Sequence, residues 1–298
     1  MAITIDEAFV QTFEDSIRHV SQQGESRLEN YVTTVMAQSE KHNWEIMGAA
    51  AARDKTSARM VSPAGGNGSG AVASTDQLAY SRRVSLAATK DAGEVVETKD
   101  IVQMLIDPKA ASAHALGMAM KRGKDDVIIT AATADALNGD ATTTAFTAGQ
   151  TVGGATTVIA LDTILETQEL FLSNEVEPDE KKVWVMGPTQ QRKLLSLAEV
   201  NSVDYQVGKA LATGVLPNFL GFDFVLSNRL NVPVAGQIDN LVFTPRGIGL
   251  HIADDISAKV GERTDMSFAY QLYTEMTLGA VRVEDAHVVK VHLKDAIA

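Results

Sequence analysis

The hydrophobic and polar positions change their spacing several times along the chain. From Asp107 to about Leu137 the pattern predicts one long helix, because Asp107 can cap it, Pro108 suits its first position, and alanine and methionine fill the next turns. We call this element the spine helix; at 1.5 Å per residue it is about 46 Å long. Gly117 and Gly123 interrupt it and indicate a bend or a close approach by another chain.

Two further features of the N-terminal half follow from spacing alone. A charged collar lies halfway along the spine helix and is typical of a solvated turn; it consists of Lys121, Arg122, Lys124, Asp125 and Asp126. Upstream, two pieces with helical spacing are separated by Gln22-Gln23-Gly24 and predict an amphipathic N-terminal arm. Its apolar positions are Phe9, Phe13, Ile17 and Val20, then Leu28, Val32 and Val35. Such an arm is marginal alone, so we expect it to lie on another surface.

The stretch from Trp44 to about Lys99 has almost no apolar core pattern, and Pro63 to Gly70 is composed of turn residues. Alternation from Arg83 to Leu86 predicts that its second limb is a strand. We therefore predict a long two-stranded arm. Isolated two-stranded hairpins are barely stable in water, so this arm should rest on a neighbouring subunit.

The rest of the chain alternates helices and strands, which favours a mixed α/β domain followed by several long strands. Asn138 to Thr157 reads as a loop or short hairpin. Helices are predicted at Leu161–Leu172, Gln190–Leu197 and Ser202–Leu211, and strands at Val183–Met186, Phe219–Leu226 and Asn240–Thr244. The last third should form one antiparallel sheet that supports the spine helix, from Gly249–Ile252, Ser257–Val260, Phe268–Leu278 and Ala280–Val291.

Composition excludes several classes of protein. The 298 residues carry a net charge of −12, which argues against tight binding of nucleic acid over the whole surface but is compatible with a container around it. There is no cysteine, so disulfides, iron–sulfur clusters and thiolate sites are excluded. We expect no signal peptide, because the N-terminal residues lack a basic segment and an apolar core. We also expect no membrane span, because no apolar run approaches about 18 residues.

Catalytic and metal-binding motifs are absent from the sequence. It contains no phosphate-binding loop, nucleophile elbow, zinc-protease helix or calcium loop. The glycine cluster at Gly65–Gly70 lacks the flanking strand and helix of a phosphate site, and His42 with Glu45 lacks the second histidine of a zinc site. The carboxylates of Glu262, Asp265 and Glu284-Asp285 fit solvated loop ends or intersubunit ion pairs better than an acid/base pair. We predict neither cofactor, metal nor enzymatic activity.

Basic residues are concentrated on the predicted arm of an otherwise acidic protein. They are Arg53, Lys55, Arg59, Arg82, Arg83 and Lys90. A positive arm and a negative body can pair across subunits, which fixes register more than affinity. The candidate intersubunit contacts on the arm are Arg53, Lys55, Arg59, Arg82, Arg83, Glu94 and Glu97; those near the C-terminus are Glu262, Arg263 and Asp265.

Ten short motifs, in this order and spacing, resemble the major capsid proteins of tailed bacteriophages. The first four are Gln22 to Leu28, Arg82-Arg83-Val84, Met104 to Pro108 and Asp125 to Ile128. The remaining six are Ser202 to Tyr205, Lys209-Ala210-Leu211, Phe219 to Phe222, Asp254-Asp255-Ile256, Glu262-Arg263 with Asp265 and Ser267, and Gly279 to Arg282. No single motif is specific, but together they span nearly the whole chain.

The resemblance implies an α+β fold of the Hong Kong 97 type. Its parts would be an N-terminal arm over 1–43, an extended β-hairpin loop over 44–99, and a peripheral domain with the spine helix over 100–156. An α/β axial domain over 157–254 would point at the five- and six-fold centres, and strands over 255–298 would return to the peripheral domain.

The same resemblance implies a major capsid protein that self-assembles as pentamers and hexamers into an icosahedral shell around double-stranded DNA, without sequence-specific binding. Assembly would occur in the bacterial cytoplasm, first as a procapsid that later expands. The implied partners are a separate scaffolding protein, a portal and a decoration protein. No interaction with a membrane is implied. We expect no covalent cross-link. The alternatives are an encapsulin-type cellular compartment and a cytoplasmic α/β enzyme.

Overall fold

The computed structural model describes residues 20–48, 80–97, 99, 109–197 and 218–295. These residues form two compact units. The first contains 20–26, 89–97, 99, 109–124 and 254–277, and the second contains 27–48, 80–88, 125–197, 218–253 and 278–295. Several predicted features lie outside the described residues: the first piece of the N-terminal arm, the Pro63–Gly70 turn, the start of the spine helix at Asp107 and the helix over 202–211.

Fourteen strands and three α-helices occur within the described residues. The strands are β1 (Thr33–Met36), β2 (Lys41–Met47), β3 (Tyr80–Leu86), β4 (Ala88–Val96), β5 (Ala136–Leu137), β6 (Thr143–Thr144), β7 (Thr151–Gly153), β8 (Lys182–Met186), β9 (Asn218–Phe219), β10 (Phe222–Leu226), β11 (Gln237–Phe243), β12 (Ile248–Arg263), β13 (Ala269–Arg282) and β14 (Val288–Lys294). The helices are α1 (Lys109–Thr133), α2 (Leu161–Ser173) and α3 (Pro188–Leu195).

A six-stranded mixed sheet, with the order β7-β14-β11-β8-β10-β9, lies in the second unit. β8 is parallel to β10 and antiparallel to β11, and β14 is antiparallel to β11 and parallel to β7. Every residue of β8 is buried, as is β11 from Ile238 to Phe243. Such continuous burial is typical of strands covered on both faces, and it confirms the two predicted core strands.

α2 covers this sheet with the face that its helical spacing predicts. Ile164, Thr167 and Phe171 are buried at i, i+3 and i+7. The centre of the Phe171 ring lies 6.4 Å from the centre of the Phe222 ring on β10. The Phe222 ring in turn packs edge-on against Trp184 of β8, with their ring centres 5.4 Å apart. Each of these aromatic side chains is fully buried, which contributes roughly 2–3 kcal/mol apiece relative to exposure.

The predicted strand over Phe219–Leu226 is a tight hairpin instead. β9 and β10 pair antiparallel across Leu220 and Gly221, whose φ angles are 52° and 81°. Two successive positive φ angles are the mark of a two-residue hairpin turn, and the glycine adopts its angle without steric cost. The apolar run concealed this turn.

The C-terminal strands differ from the prediction in their pairing. β12 is one strand of 16 residues where two short strands were expected, and it lies between β1 and β13 in a four-stranded sheet with the order β1-β12-β13-β4. β14 joins the six-stranded sheet, so the prediction of one antiparallel C-terminal sheet is wrong. The reason is burial: Val289 and Leu293 and their neighbours in β14 pack as an inner strand beside β11.

The second piece of the N-terminal arm is also not helical. Glu29–Tyr31 form a 3-10 turn, and β1 pairs in parallel with β12, from Thr33 opposite Gly249 to Met36 opposite Ile252. Thr33, Thr34 and Val35 are β-branched and therefore favour a strand. Because the partner strand β12 lies more than 200 residues away in the sequence, the spacing of apolar residues around β1 could not reveal this pairing.

The spine helix is confirmed as α1, which spans 25 described residues, or about 37 Å, and ends four residues earlier than predicted. A Cβ atom at Gly123 would lie 2.9 Å from the Met276 methyl group of β13. The close approach at Gly123 therefore involves β13 of the same chain. At Gly117 nothing lies within 4 Å of such an atom.

The two-stranded arm is confirmed at its described end, where β2 and β3 pair antiparallel from Lys41 opposite Leu86 to Met47 opposite Tyr80. We call these two strands the β2–β3 arm. Its inner face carries Trp44, whose indole N–H donates to Ser85 Oγ at 3.1 Å. Beyond the arm, the chain passes over β13 so closely that Gly279 has no room for a side chain: a Cβ there would lie 2.0 Å from the Leu86 carbonyl oxygen.

Gly279→Ala should therefore destabilise the unassembled subunit by about 2 kcal/mol or more, because the added methyl group collides with main-chain atoms that must shift. Gly117→Ala is the matched control. It adds the same methyl group where nothing lies within 4 Å and should raise stability by about 1 kcal/mol through helix propensity. Urea unfolding followed by circular dichroism measures both, and equal midpoints for the two variants would contradict the predicted contact.

Candidate assembly surfaces

A fully buried arginine, Arg282, lies at the end of the spine helix. Its guanidinium donates to the carbonyl oxygens of Ala132 at 3.2 Å and Ala134 at 2.6 Å. The last carbonyls of a helix have no partner inside it and carry partial negative charge, so a cation placed there both caps and stabilises the helix.

The same side chain holds the end of β6 and the residue that follows it. Arg282 donates to the carbonyl oxygens of Thr144 and Ala145, each at 3.2 Å, and its guanidinium lies 5.1 Å from the centre of the Phe146 ring. It also donates to the Asp285 carboxylate. The planar fork of five N–H groups suits this use, since no other side chain can reach so many acceptors in one plane.

Asp285 links Arg282 to the β2–β3 arm. Its second oxygen accepts from Arg83 of β3 at 3.0 Å, and Arg83 also donates to the side-chain oxygen of Asn138 at 2.8 Å. The Arg83 side chain is only 11% exposed. The base of the arm is therefore fixed by a network of charged groups within the chain, which we call the arm-base network: Arg83, Asn138, Arg282 and Asp285.

Arg82, the next residue, points to solvent and forms a different pair. It lies 2.6 Å from Glu45 across the arm, and the two side chains are 49% and 62% exposed. Both line an open groove of about 630 Å³ together with Asp140 and Gly139 of the loop between β5 and β6. Hydrogen bonds from Thr142 lower the pKa of Asp140, so this carboxylate keeps its negative charge in mild acid.

The charged collar of α1 is not a solvated turn, so that prediction is wrong. In the first unit, Lys121 pairs with Glu25 at 2.6 Å and Arg122 donates to the Gln22 side chain at 2.8 Å. Both partners belong to the motif Gln22–Leu28. Lys124, whose side chain is 5% exposed, pairs with Asp255 at 2.9 Å, and this hydrogen bond lowers the pKa of the Asp255 carboxyl.

In the second unit the collar residue Asp125 is fully buried and binds main chain. Its carboxylate accepts from the backbone N–H of Arg27 at 3.1 Å and of Leu28 at 3.2 Å. Asp126 accepts from both ends of the Arg229 guanidinium, which raises the pKa of Arg229. A carboxylate that accepts two N–H bonds is a strong anchor, so we call Asp125 with residues 27 and 28 the Asp125 anchor.

The turn between β12 and β13 is strained and exposed. Ser267 and Phe268 have φ angles of 51° and 57°, which are unfavourable for residues other than glycine. The Phe268 side chain is 62% exposed. Arg263 and Asp265 pair beside it, and this hydrogen bond lowers the pKa of the Asp265 carboxyl. Strain of this kind persists where the surroundings require it and is concentrated at functional positions.

The structure places the candidate contact residues in different settings. Arg53, Lys55 and Arg59 lie outside the described residues. Glu94 and Glu97 are exposed at the end of β4, and Glu262 is exposed on β12. Arg82, Arg263 and Asp265 are surface residues already engaged in ion pairs, while Arg83 is largely covered within the arm-base network. A role for any of them between subunits stays a prediction.

Sequence reasoning missed the residues that carry most of these contacts. Arg282 and Asp125 were noticed only as parts of motifs, and Asp285 was assigned to a solvated loop end or an intersubunit pair. An arginine in an otherwise apolar strand, Leu278 to Val283, was the available signal, because an isolated cation there must be paired if it is buried. In the part of the chain that the structure describes, no group of side chains suited to a metal ion is found, and no helix could span a membrane.

Comparison with known proteins adds to this geometry. The sequence model of one family, phage capsid protein, matches residues 5–295. The chain belongs to this family. No curated protein matches the sequence.

Solved structures share the fold over almost all of the chain. A structure from Mycobacterium phage Che8 superposes with a TM-score of 0.72 at 18% identity, covering 95% of this chain and 96% of its own. The capsid of cyanophage P-SCSP1u superposes with a TM-score of 0.70 at 14% identity, covering 99% of this chain and 96% of its own. The capsid of cyanophage Pam1 gives 0.72 at 12% identity, with 98% of each chain covered. The predicted Hong Kong 97-type α+β fold is confirmed.

The capsid family also decides among the predicted functions. The chain is a phage head protein, so the tailed-phage resemblance is confirmed and the encapsulin and enzyme alternatives are not favoured. A capsid protein is structural and not an enzyme, as expected from the sequence. Its place is the phage virion. The sites that matter in such a protein are the surfaces and networks that set its shape.

Arg282→Lys should destabilise the unassembled capsid protein by about 3 kcal/mol, since an ammonium group cannot serve four carbonyls and Asp285 at once. Arg82→Lys is the matched control, because the same exchange in a half-exposed ion pair should cost less than about 1 kcal/mol. Urea unfolding of the two variants measures the difference. Equal stabilities would show that the arm-base network does not hold the fold.

Asp255→Asn tests the ion pair with buried Lys124. Because the folded-state pKa of Asp255 lies below its ordinary value of 3.8, the stability it contributes is present above that value and is lost as pH falls through the lowered pKa. The variant should be about 1 kcal/mol less stable than the wild type near pH 6, as Asp255 is itself 57% exposed. The difference should shrink below about pH 3.8; urea midpoints that differ equally at both pH values would contradict this account.

Proposed function

We propose that this capsid protein self-assembles as pentamers and hexamers into the icosahedral shell that encloses the double-stranded DNA of a tailed phage. The observation that carries the proposal is the β2–β3 arm. Its base is fixed by the arm-base network, whereas its far described end exposes the cross-strand pair Met47 and Tyr80, 61% and 76% exposed. A rigidly mounted arm that exposes such an apolar pair is stabilised when a neighbouring copy covers the pair.

Known assemblies with the same fold support this proposal. The similar structures from P-SCSP1u and Pam1 are described as a capsid and a capsid asymmetric unit. Closed shells repeat each interface many times, so modest contacts are sufficient when every copy makes several of them. The exposed residues Met36, Val260 and Phe268 add further apolar surface to the described residues.

We assign the parts of the subunit by analogy with the fold. Residues 44–99 would form the extended loop, 100–156 the peripheral domain with the spine helix, and 157–254 most of the axial domain. Residues 1–43 would form the N-terminal arm, and 255–298 would return to the peripheral domain. The candidates at the surface would contact neighbouring copies: Arg82, Glu94, Glu97, Glu262, Arg263 and Asp265.

The DNA would be enclosed without sequence-specific contacts. A net charge of −12 gives the protein little capacity to neutralise phosphate, so a shell of many copies would leave the genome mobile. Assembly through a procapsid would use a scaffolding protein and a portal, and a decoration protein could stabilise the expanded shell. These partners rest on the family resemblance.

Electron microscopy of the purified protein, produced alone and together with the products of its neighbouring genes, tests the shell directly. Closed icosahedral particles are expected, and DNA-filled particles should carry the same subunit. A monodisperse monomer under all these conditions would contradict the proposal.

The arm is tested by the double variant Met47→Ser with Tyr80→Ser. It should reduce the yield of closed particles several-fold, because two apolar side chains are lost from the contact. The free energy of unfolding of the free subunit, measured with urea, should stay within about 0.5 kcal/mol of the wild type. Val232→Ser with Val234→Ser is the matched control, as these side chains are 55% and 59% exposed in the loop before β11. Equal particle yields for the two double variants would argue against an intersubunit role for the arm.

A further inference from the structure

The outward face of α2 combines exposed leucines with acidic side chains. Leu165, Glu169 and Leu172 follow one another at i, i+4 and i+7, and the two leucines are 45% and 46% exposed. Asp162 and Glu166 are also exposed, and no basic residue occurs between Leu161 and Ser173. A helix face with this chemistry is suited to a partner that is both apolar and positively charged.

A groove beside this face would accept a long cationic side chain. It has a volume of about 300 Å³ and lies between α2 and β7. Glu166 and Glu169 supply carboxylates, while Leu170 and Val152 supply apolar walls. Arginine fits such a groove because its methylene stem can lie on the apolar walls while its guanidinium meets the carboxylates.

The groove lies at one edge of the six-stranded sheet, since β7 is the terminal strand there. The chain carries the opposite charge towards the other edge. α3 contains Arg192 and Lys193 and no acidic residue, and Arg192 is exposed. The last turn of α3 lies beside β10, because Leu194, Leu195 and Phe224 line one cleft. Five strand spacings separate the edge strands β7 and β9, or about 24 Å.

We propose that the outward face of α2 in one subunit docks on the end of α3 in a second copy, with Arg192 entering the groove between Glu166 and Glu169. This contact rests on the proposed assembly into rings and names the surfaces that would form them. Two different patches near opposite edges of one sheet give a head-to-tail contact, which forms a ring when the rotation from one copy to the next closes. A contact of α2 with its own copy would instead place like charges together.

The leucines and the ion pairs have separate roles in this contact. Leu165 and Leu172 are removed from water when α3 covers them, which supplies affinity. The glutamates and Arg192 fix which face meets which, because a register that leaves Arg192 beside another cation is repelled. Since the charges are exposed before assembly, the contact should weaken as ionic strength rises.

A charge exchange tests the contact. Glu169→Arg and Arg192→Glu should each raise the subunit concentration needed for half-assembly by roughly tenfold, because each replaces an attraction with a repulsion. The double variant restores opposite charges at the same place and should assemble within about twofold of the wild type. Sedimentation velocity measures the assembled fraction, and electron microscopy identifies the particles.

Two charge reversals elsewhere in the second unit serve as controls. Glu177→Arg and Arg246→Glu change exposed residues outside both patches and should leave assembly unchanged. Circular dichroism and urea unfolding should show that all variants fold as the wild type does. Restored assembly in the double variant, with unaffected controls, supports the contact.

The outcomes separate this contact from the proposed function. If the wild type forms closed shells and both single variants assemble equally well, the contact is wrong and the shell function stands. If the single variants are defective and the double variant is no better than either, the two patches do not meet, and α2 faces another surface. A wild type that forms no particles would contradict the shell itself.

Discussion

The buried positive charge of Arg282 is the interaction on which the arrangement of this capsid protein depends. Burying an unpaired charge is prohibitively costly, so everything around the guanidinium must supply acceptors. The end of the spine helix, the end of β6 and Asp285 do so, and Asp285 extends the network to Arg83. One side chain thereby fixes the end of the spine helix and the base of the arm in a single geometry.

The collar of α1 shows the same use of charge on a smaller scale. An acidic protein without cysteine has neither disulfides nor metal–thiolate bonds to fix its extended segments. Here the segment around Gln22–Leu28 is held by Lys121, Arg122 and Asp125, each within its own unit. Charged residues near the middle of a helix therefore act as attachment points, and their partners come from distant parts of the sequence.

Sequence reasoning succeeded where the signal is local. The spine helix, α2, β8 and β3 follow from capping, helical spacing, apolar runs and alternation, and each was predicted within a few residues. It failed where pairing is distant: β1 depends on β12, and β14 joined β11 instead of the strands beside it in sequence. Among the candidate contacts, exposure of Glu94 could be guessed from its neighbours. The burial of Arg83 could not, because it depends on Asp285, about 200 residues away.

The Asp125 anchor has a consequence for how such a protein can diverge. Its carboxylate binds two main-chain N–H groups, which every residue except proline possesses. Mutations at position 27 can therefore accumulate without removing these hydrogen bonds, provided that Asp125 itself persists, whereas position 28 must stay apolar because Leu28 is fully buried. Attachment through the main chain places few demands on sequence identity, which suits a fold that a phage protein shares at only 18%.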